Sequence, residues 1–423
     1  MTRGDTAAQV LEQVDQLSTD LLEEAAALVR IPSVGGTAGE HEAQAEMARR
    51  FAADGLEVDH WPIDLAVIVD RPGFPGTEVE RSEAWGLVGR RPGTGDGACL
   101  MLNGHVDVVP IGDPSAWTVD PFGGEVRGRR LYGRGSCDMK AGIVAAHVAV
   151  RALQLAGVSL RGDVILASVE GEEDGGLGTF ALLERGWTAD ACVIAEPTQL
   201  DAIPANAGAL TFRLRIRGRA THAARRTEGV SAVAKLWPVW RALEALEARR
   251  HESVDPLAVR WDLAHPLSIG IVRSGDWPSS VPDLLVAEGR LGVAIGEPVE
   301  AARAQLEEAM AEASDADPWL RDHPVEVEWW GGQFASGRLP HDSDLLDRLR
   351  RAHEGAGGGR PHAVYAAPYG SDLRLLTGLG GIPTVQYGPG DAALAHGPDE
   401  SVPIDEVLTT ARTLALLALD ICS

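Results

Sequence analysis

Short apolar runs bounded by Gly, Pro and acidic residues recur along the first half of this chain. Cys99–Leu102, Val164–Val169 and Cys192–Ala195 are such runs, the pattern of strands buried on both faces. Helical spacing fills the stretches near Glu40–Asp54 and Ala141–Ala156. Strand-like and helix-like segments alternate from about Ser18 to Glu196, which predicts an α/β sheet.

Beyond Glu196 the pattern changes. Leu210–Ile216 alternates apolar and charged positions, as in a sheet with one wet face. An amphipathic helix is predicted over Ser231–Arg249, strands near Leu267–Val272 and Leu284–Val293, a helix over Val299–Ala313 and a last strand over Val325–Trp330. This β-α-β-β-α-β order predicts a ferredoxin-like α+β domain inserted into the first. The expected division is residues 1–205 and 333–423 for one domain and 206–332 for the insert. Glu354–Arg360 is Gly-rich and reads as a loop, and no internal repeat is visible.

At 423 residues the chain is too long for one ordinary core, which agrees with two domains. No apolar run approaches the roughly 18–20 residues of a membrane span. The stretch Met1–Asp20 is polar and acidic and lacks a signal-peptide core. Cys99, Cys137, Cys192 and Cys422 are scattered and form no CxxC pair, which predicts reduced thiols and a cytoplasmic location. A net charge of −24 argues against nucleic acid or an anionic membrane as partner.

The candidate chemistry sits at the ends of the predicted strands. Leu102-Asn103-Gly104-His105-Val106-Asp107 places a His and an Asp two residues apart, and an extended backbone would put them on one face. Asp138, in the Gly-rich stretch Tyr132–Gly142, falls where a loop meets a helix, a position that also suits an N-cap. Glu170-Gly171-Glu172-Glu173-Asp174 follows the run Val164–Val169. Such a run of acids is ordinarily a solvated loop, but beside a buried strand end like charges need a cation. Glu196 ends another buried run ahead of Pro197, and His396 lies in a Gly/Pro-rich loop. The order His, Asp, Asp, Glu-Glu, Glu, His suits two divalent ions. Imidazole and carboxylate without thiolate fit zinc, with cobalt or manganese as alternatives. One carboxylate left off the metals would serve as general base. A serine nucleophile has no support, because Gly133-Arg134-Gly135-Ser136-Cys137 is not GxSxG.

Taken in order, these segments resemble the peptidase M20 family, which includes acetylornithine and succinyl-diaminopimelate deacylases, aminoacylase-1 and glutamate carboxypeptidases. The segments that carry the likeness are Asn103–Pro110, Trp117 with Asp120-Pro121-Phe122, Tyr132–Gly142, Glu172-Glu173, Glu196-Pro197-Thr198 and His396 with Asp399-Glu400. The resemblance implies a zinc-peptidase-like α/β/α catalytic domain with an inserted lid that serves for dimerisation. It implies that Asp138 bridges two metals, that His105 and Glu196 complete one site, and that Glu173 and His396 complete the other. Asp107 would orient His105, and Glu172 would be the general base and acid. The family often has a cis peptide after the bridging Asp, which makes Asp138–Met139 a candidate.

The same resemblance implies that His222 reaches the active site of a partner subunit and polarises the scissile carbonyl. Its neighbours match only in part, with Arg225 and Arg226 in place of smaller residues. Ser280 stands where many members have a substrate-contacting Asn, Arg290 matches an Arg that holds a substrate carboxylate, and Gly370-Ser371-Asp372 resembles a pocket loop. The activity implied is deacylation of an N-acyl amino acid or related small N-acyl amine by a homodimer. Alternatives are a dipeptidase or carboxypeptidase of the same family, a co-catalytic zinc aminopeptidase, or a catalytically silent binding protein on this fold.

Overall fold

The computed structural model describes residues 3–360 and 362–423. The chain divides into two compact units, residues 3–204, 338–365 and 372–423 in the first and residues 205–337 and 366–371 in the second. The segment 366–371, which the sequence reading leaves with the first domain, groups with the second. The reasons are local: the Ala366 N–H donates to the Leu257 carbonyl, and Gly370 lies against Phe334.

The first unit is built on a sheet. Six of its strands run side by side in the order Glu57–Pro62, Trp85–Arg91, Val164–Val169, Leu100–His105, Ala191–Ile194, Thr384–Gln386. The last four are mutually parallel, and the first two join antiparallel. Period-two alternation divides the apolar side chains between two cores. Leu100, Leu102, Val164, Leu166 and Val193 face the helices Ala141–Leu155 and Ile404–Ile421. Met101, Ile165, Ala167, Cys192 and Ile194 face the other way, against Phe180, Leu182 and Leu376. That is an α/β/α sandwich. Because the four central strands are parallel, their C-terminal ends share one edge, which is where such sheets bind ligands.

Residues 3–20 hold more structure than their polarity suggests. Within them lies the helix Arg3–Gln16, and Ser18–Val29 is a second helix. Val10, Val14, Leu17 and Leu21 are buried at helical spacing in the first core.

The second unit is a four-stranded antiparallel sheet in the order Leu267–Ser274, Leu284–Val293, Gly208–Arg217, Glu326–Phe334. This is the ferredoxin-like order. Leu210, Phe212, Leu214 and Ile216 pack against Leu243, Leu246, Leu306 and Met310 of the helices Ala232–Arg250 and Val299–Ala316. The opposite face is wet: Arg213 Nε and Nη1 donate to Glu288 and Glu328 at 2.8 and 2.9 Å. No helix among the described residues is long and apolar enough to cross a membrane. All four cysteines are free thiols.

Candidate metal centre and active site

The shared edge of the parallel strands gathers the acidic and imidazole side chains. His105 is the last residue of its strand. Glu172 and Glu173 follow the strand Val164–Val169 after a turn at Gly171, whose φ of 70° favours glycine. Glu196 lies just past the strand Ala191–Ile194. Asp138 sits in a wide turn, Ser136–Lys140, ahead of the helix Ala141–Leu155. It does not cap that helix: Lys140 holds the N-cap position, and the Asp138 carboxylate lies against the imidazoles of His105 and His396 instead. The Asp138–Met139 peptide is cis, as the family resemblance implies.

His105 Nε2 is 3.1 Å from Asp138 Oδ1. His396 Nε2 is 3.5 Å from Asp138 Oδ2 and 3.0 Å from Glu173 Oε2. Asp138 therefore spans the two histidines. Ligand atoms of His105, Asp138 and Glu173 lie within 4.8 Å of one another, and so do those of His105, Glu172 and Glu196. By proximity alone, Glu172 belongs to the group of His105 and Glu196.

Asp107 differs from the strand expectation. The strand ends at His105, so the two side chains do not share a strand face. The Asp107 carbonyl oxygen accepts from His105 Nδ1 at 2.9 Å, which leaves Nε2 to face the cluster. Its carboxylate, 3.6 Å from the same Nδ1, accepts the N–H groups of Glu172 and Glu173 at 3.3 and 3.2 Å. One residue thus orients the imidazole and anchors the acidic loop.

The electrostatics of the cluster favour a bound cation. Burial raises Glu172 well above the usual carboxylate range, reinforced by the charges of Asp372 and Glu196. Burial and Asp138 do the same to Glu196, and burial with Asp138 raises Glu173. Burial also opposes charge on Asp138, but its bonds to His105 and His396 overcome this and hold it low. His396 is pushed up to about 11 by its bonds to Asp138 and Glu173. Burial disfavours a charged His105, yet the bond to Asp138 and the charges of Asp107 and Glu196 outweigh it. Carboxylates crowded in this way are relieved by bound cations. The donors are oxygen and imidazole nitrogen without thiolate, which fits divalent zinc, cobalt or manganese.

Residues behind the cluster, for which the sequence alone implies no role, hold its elements together. Glu400 Oε1 accepts the N–H groups of Cys137 and Asp138 at 2.9 and 3.1 Å, and its Oε2 accepts from Arg134 Nη1 at 2.5 Å. Arg134 Nη2 donates to the His396 carbonyl at 3.2 Å. This buried pair ties the turn of Asp138 to the loop of His396, whose own φ is 63°. Lys140 Nζ donates to the Leu28 and Ile31 carbonyls, and burial lowers it to about 7. Glu400 follows Asp399 in the segment after His396, but no local pattern announces the partner of a buried charge.

The remaining candidates belong to the second unit. His222 is exposed and precedes the short helical turn Ala223–Glu228. Its Nδ1 accepts the Ala224 N–H at 3.1 Å, so in neutral imidazole the proton is on Nε2. Ser280 pairs with His222 through a single β-bridge. Arg290 lies with its guanidinium 5.8 Å from the centre of the Phe334 ring. A Cβ on Gly370 would fall 2.7 Å from that ring, so a larger residue there would displace it.

Fold and site together define a metal-dependent hydrolase. The sequence matches peptidase family M20/M25/M40 over residues 101–420, and the chain belongs to that family. It is 28% identical over 351 residues to N-formyl-4-amino-5-aminomethyl-2-methylpyrimidine deformylase of Halalkalibacterium halodurans, covering 76% of this chain and 79% of that one. It is 38% identical over 208 residues to succinyl-diaminopimelate desuccinylase of a Methylobacterium species, covering 47% of this chain and 48% of that one. Among solved structures it resembles a dinuclear metal-binding M20 family peptidase of Bacillus subtilis, with a TM-score of 0.64 and 17% identity over 96% of this chain and 98% of that one. The protein is therefore an amidohydrolase of this family.

Proposed function

We propose that this enzyme removes the acyl group from an N-acyl amino acid or related small N-acyl amine. The observation that carries the reading is the cluster around Asp138, which spans His105 and His396 while the Glu172 carboxylate lies buried beside His105 and Glu196. Relatives named for removing formyl and succinyl groups support the deacylase class.

In this reading two ions, zinc first and cobalt or manganese as substitutes, would be held with Asp138 shared between them, His105 and Glu196 completing one site and Glu173 and His396 the other. Bound there, the ions supply Lewis acidity and make water more acidic. Glu172 takes a proton from water and delivers it to the leaving amine. Asp107 holds His105 in the tautomer that presents Nε2. Arg290 binds a substrate carboxylate, and Ser280 and Gly370 shape the pocket. The test is a hydrolysis screen of metal-loaded enzyme on N-formyl, N-acetyl, N-succinyl and carbamoyl amino acids beside dipeptides. Turnover of the N-acyl compounds is expected to dominate. Turnover confined to peptides would replace this reading with a dipeptidase.

His222 is assigned to the carbonyl of a substrate held by the partner subunit of a homodimer, donating from Nε2–H. The inserted domain carries features of a dimer surface. The strand Leu267–Ser274 is an open sheet edge with Ile271 and Val272 exposed, and Val233, Trp237 and Trp240 are exposed on the neighbouring helix Ala232–Arg250. If His222 acts in trans, Glu172→Gln and His222→Ala enzymes are each nearly inactive, yet mixing them with subunit exchange restores turnover. At equal mixing about half the dimers are mixed, with one intact site each, so about a quarter of wild-type activity is the ceiling. Exchange verified by mass spectrometry without recovered activity would exclude the trans role.

A further inference from the structure

Arg81 lies in the stretch between the strands Glu57–Pro62 and Trp85–Arg91. Its side chain is 3% exposed. Nη1 and Nη2 donate to Asp174 Oδ2 and Oδ1, each at 2.8 Å. Nε and Nη2 donate to Glu40 Oε2 and Oε1 at 3.2 and 2.9 Å. Asp174 is itself a junction, because Oδ2 also accepts the Thr77 hydroxyl and the N–H groups of Glu78 and Val79. A Cβ on Gly171 would lie 3.1 Å from Arg81 Nη2, so the guanidinium runs along the flank of the same loop.

These bonds complete a clamp. Asp107 takes the N–H groups of Glu172 and Glu173 on one side. Arg81 takes the carboxylate of the very next residue, Asp174, on the other. Glu40, buried at the start of the helix Ala38–Ala53, anchors the guanidinium in turn. The fork matters more than the charge. A guanidinium can hold two carboxylates with paired, fixed bonds, and an ammonium cannot reproduce that geometry. Without Arg81, Glu40 and Asp174 would be buried acids lacking their cation, next to Glu170 and Asp107.

We propose that Arg81 is a positioning residue for Glu172 and Glu173, acting through Asp174. The inference rests on the roles assigned to those two glutamates above. A displacement of about 1 Å at a reacting group can cost about 10² in rate.

The variants are Arg81→Met, Arg81→Lys, Asp174→Asn and the double Arg81→Met/Asp174→Asn. In metal-free protein, hydrogen exchange of the 170–176 amides is expected to quicken about tenfold or more in Arg81→Met. The strands Leu100–His105 and Val164–Val169 should stay protected. In metal-loaded enzyme, kcat on the N-acyl amino acid that wild type turns over fastest should fall about 10²-fold, with KM within about threefold. Arg81→Lys should not restore it. The double variant should be about as slow as Arg81→Met, because the two residues act as one unit.

Wild-type exchange over 170–176 in Arg81→Met would overturn the proposal. Faster exchange with full kcat would overturn it as well. So would loss of protection throughout the molecule in both Arg81→Met and Asp174→Asn, which would make the pair a folding element. The reading of Glu172 as base fails separately, when Glu172→Gln itself retains turnover.

Discussion

Glu172→Gln enzyme is expected to keep wild-type metal content while kcat falls by about 10²–10⁴, the usual cost of removing a general base. The substitution is nearly isosteric. It leaves the N–H groups of residues 172 and 173 on the Asp107 carboxylate, so the loop should hold its shape. What the amide loses is the ability to take up a proton. The measurement has two parts because the geometry permits two roles. Glu172 lies within ligand distance of His105 and Glu196. A ligand role would show as lost metal in Glu172→Gln, and a base role as retained metal with lost turnover. Glu173→Gln supplies the contrast: Glu173 contacts His396 at 3.0 Å, and its replacement is expected to lower metal content together with rate. A metal-replete Glu172→Gln enzyme with near-normal kcat would end the assignment.

Chelation should abolish turnover, and zinc or cobalt should restore it. Elemental analysis of active enzyme should find about two equivalents per chain. Stability should follow the metal. Burial and mutual repulsion raise Glu172, Glu173 and Glu196 despite the neighbouring imidazoles, so the metal-free fold carries carboxylates that resist ionisation. A ligand that binds only the folded state at 100 times its Kd adds about 2.7 kcal/mol per site. Chelated protein is therefore expected to melt at lower temperature and to regain its transition on zinc addition. Less than one equivalent of metal in fully active enzyme would exclude a two-metal site, and an unchanged melting temperature after complete metal removal would exclude the coupling to folding.

Much of this molecule was legible because its elements are locally consistent. Val164–Val169 is an uninterrupted apolar run, and it forms a strand over those same residues. The inserted domain alternates its apolar and charged positions, and its wet face is where Arg213 meets Glu288 and Glu328. The acids were visible as well, since Glu172, Glu173 and Glu196 each follow a buried strand run. The helix Arg3–Gln16 went unread although Val10 and Val14 stand at helical spacing, because the polar residues around them dominate the composition of that stretch.

What the sequence by itself determined was which elements form and which ligand types stand at their ends, since both depend on residues near each other in the chain. The tertiary structure decided the rest. Only the folded sheet shows that Asp107, beyond the strand end, orients His105 through its carbonyl and holds the Glu172 loop with its carboxylate. Only packing pairs Arg134 with Glu400 and Arg81 with Asp174, residues 266 and 93 positions apart. A buried charge must find an opposite charge, but that requirement carries no periodicity and no fixed spacing. Its partner is set by which strands lie side by side, and that is settled by the burial of the whole core.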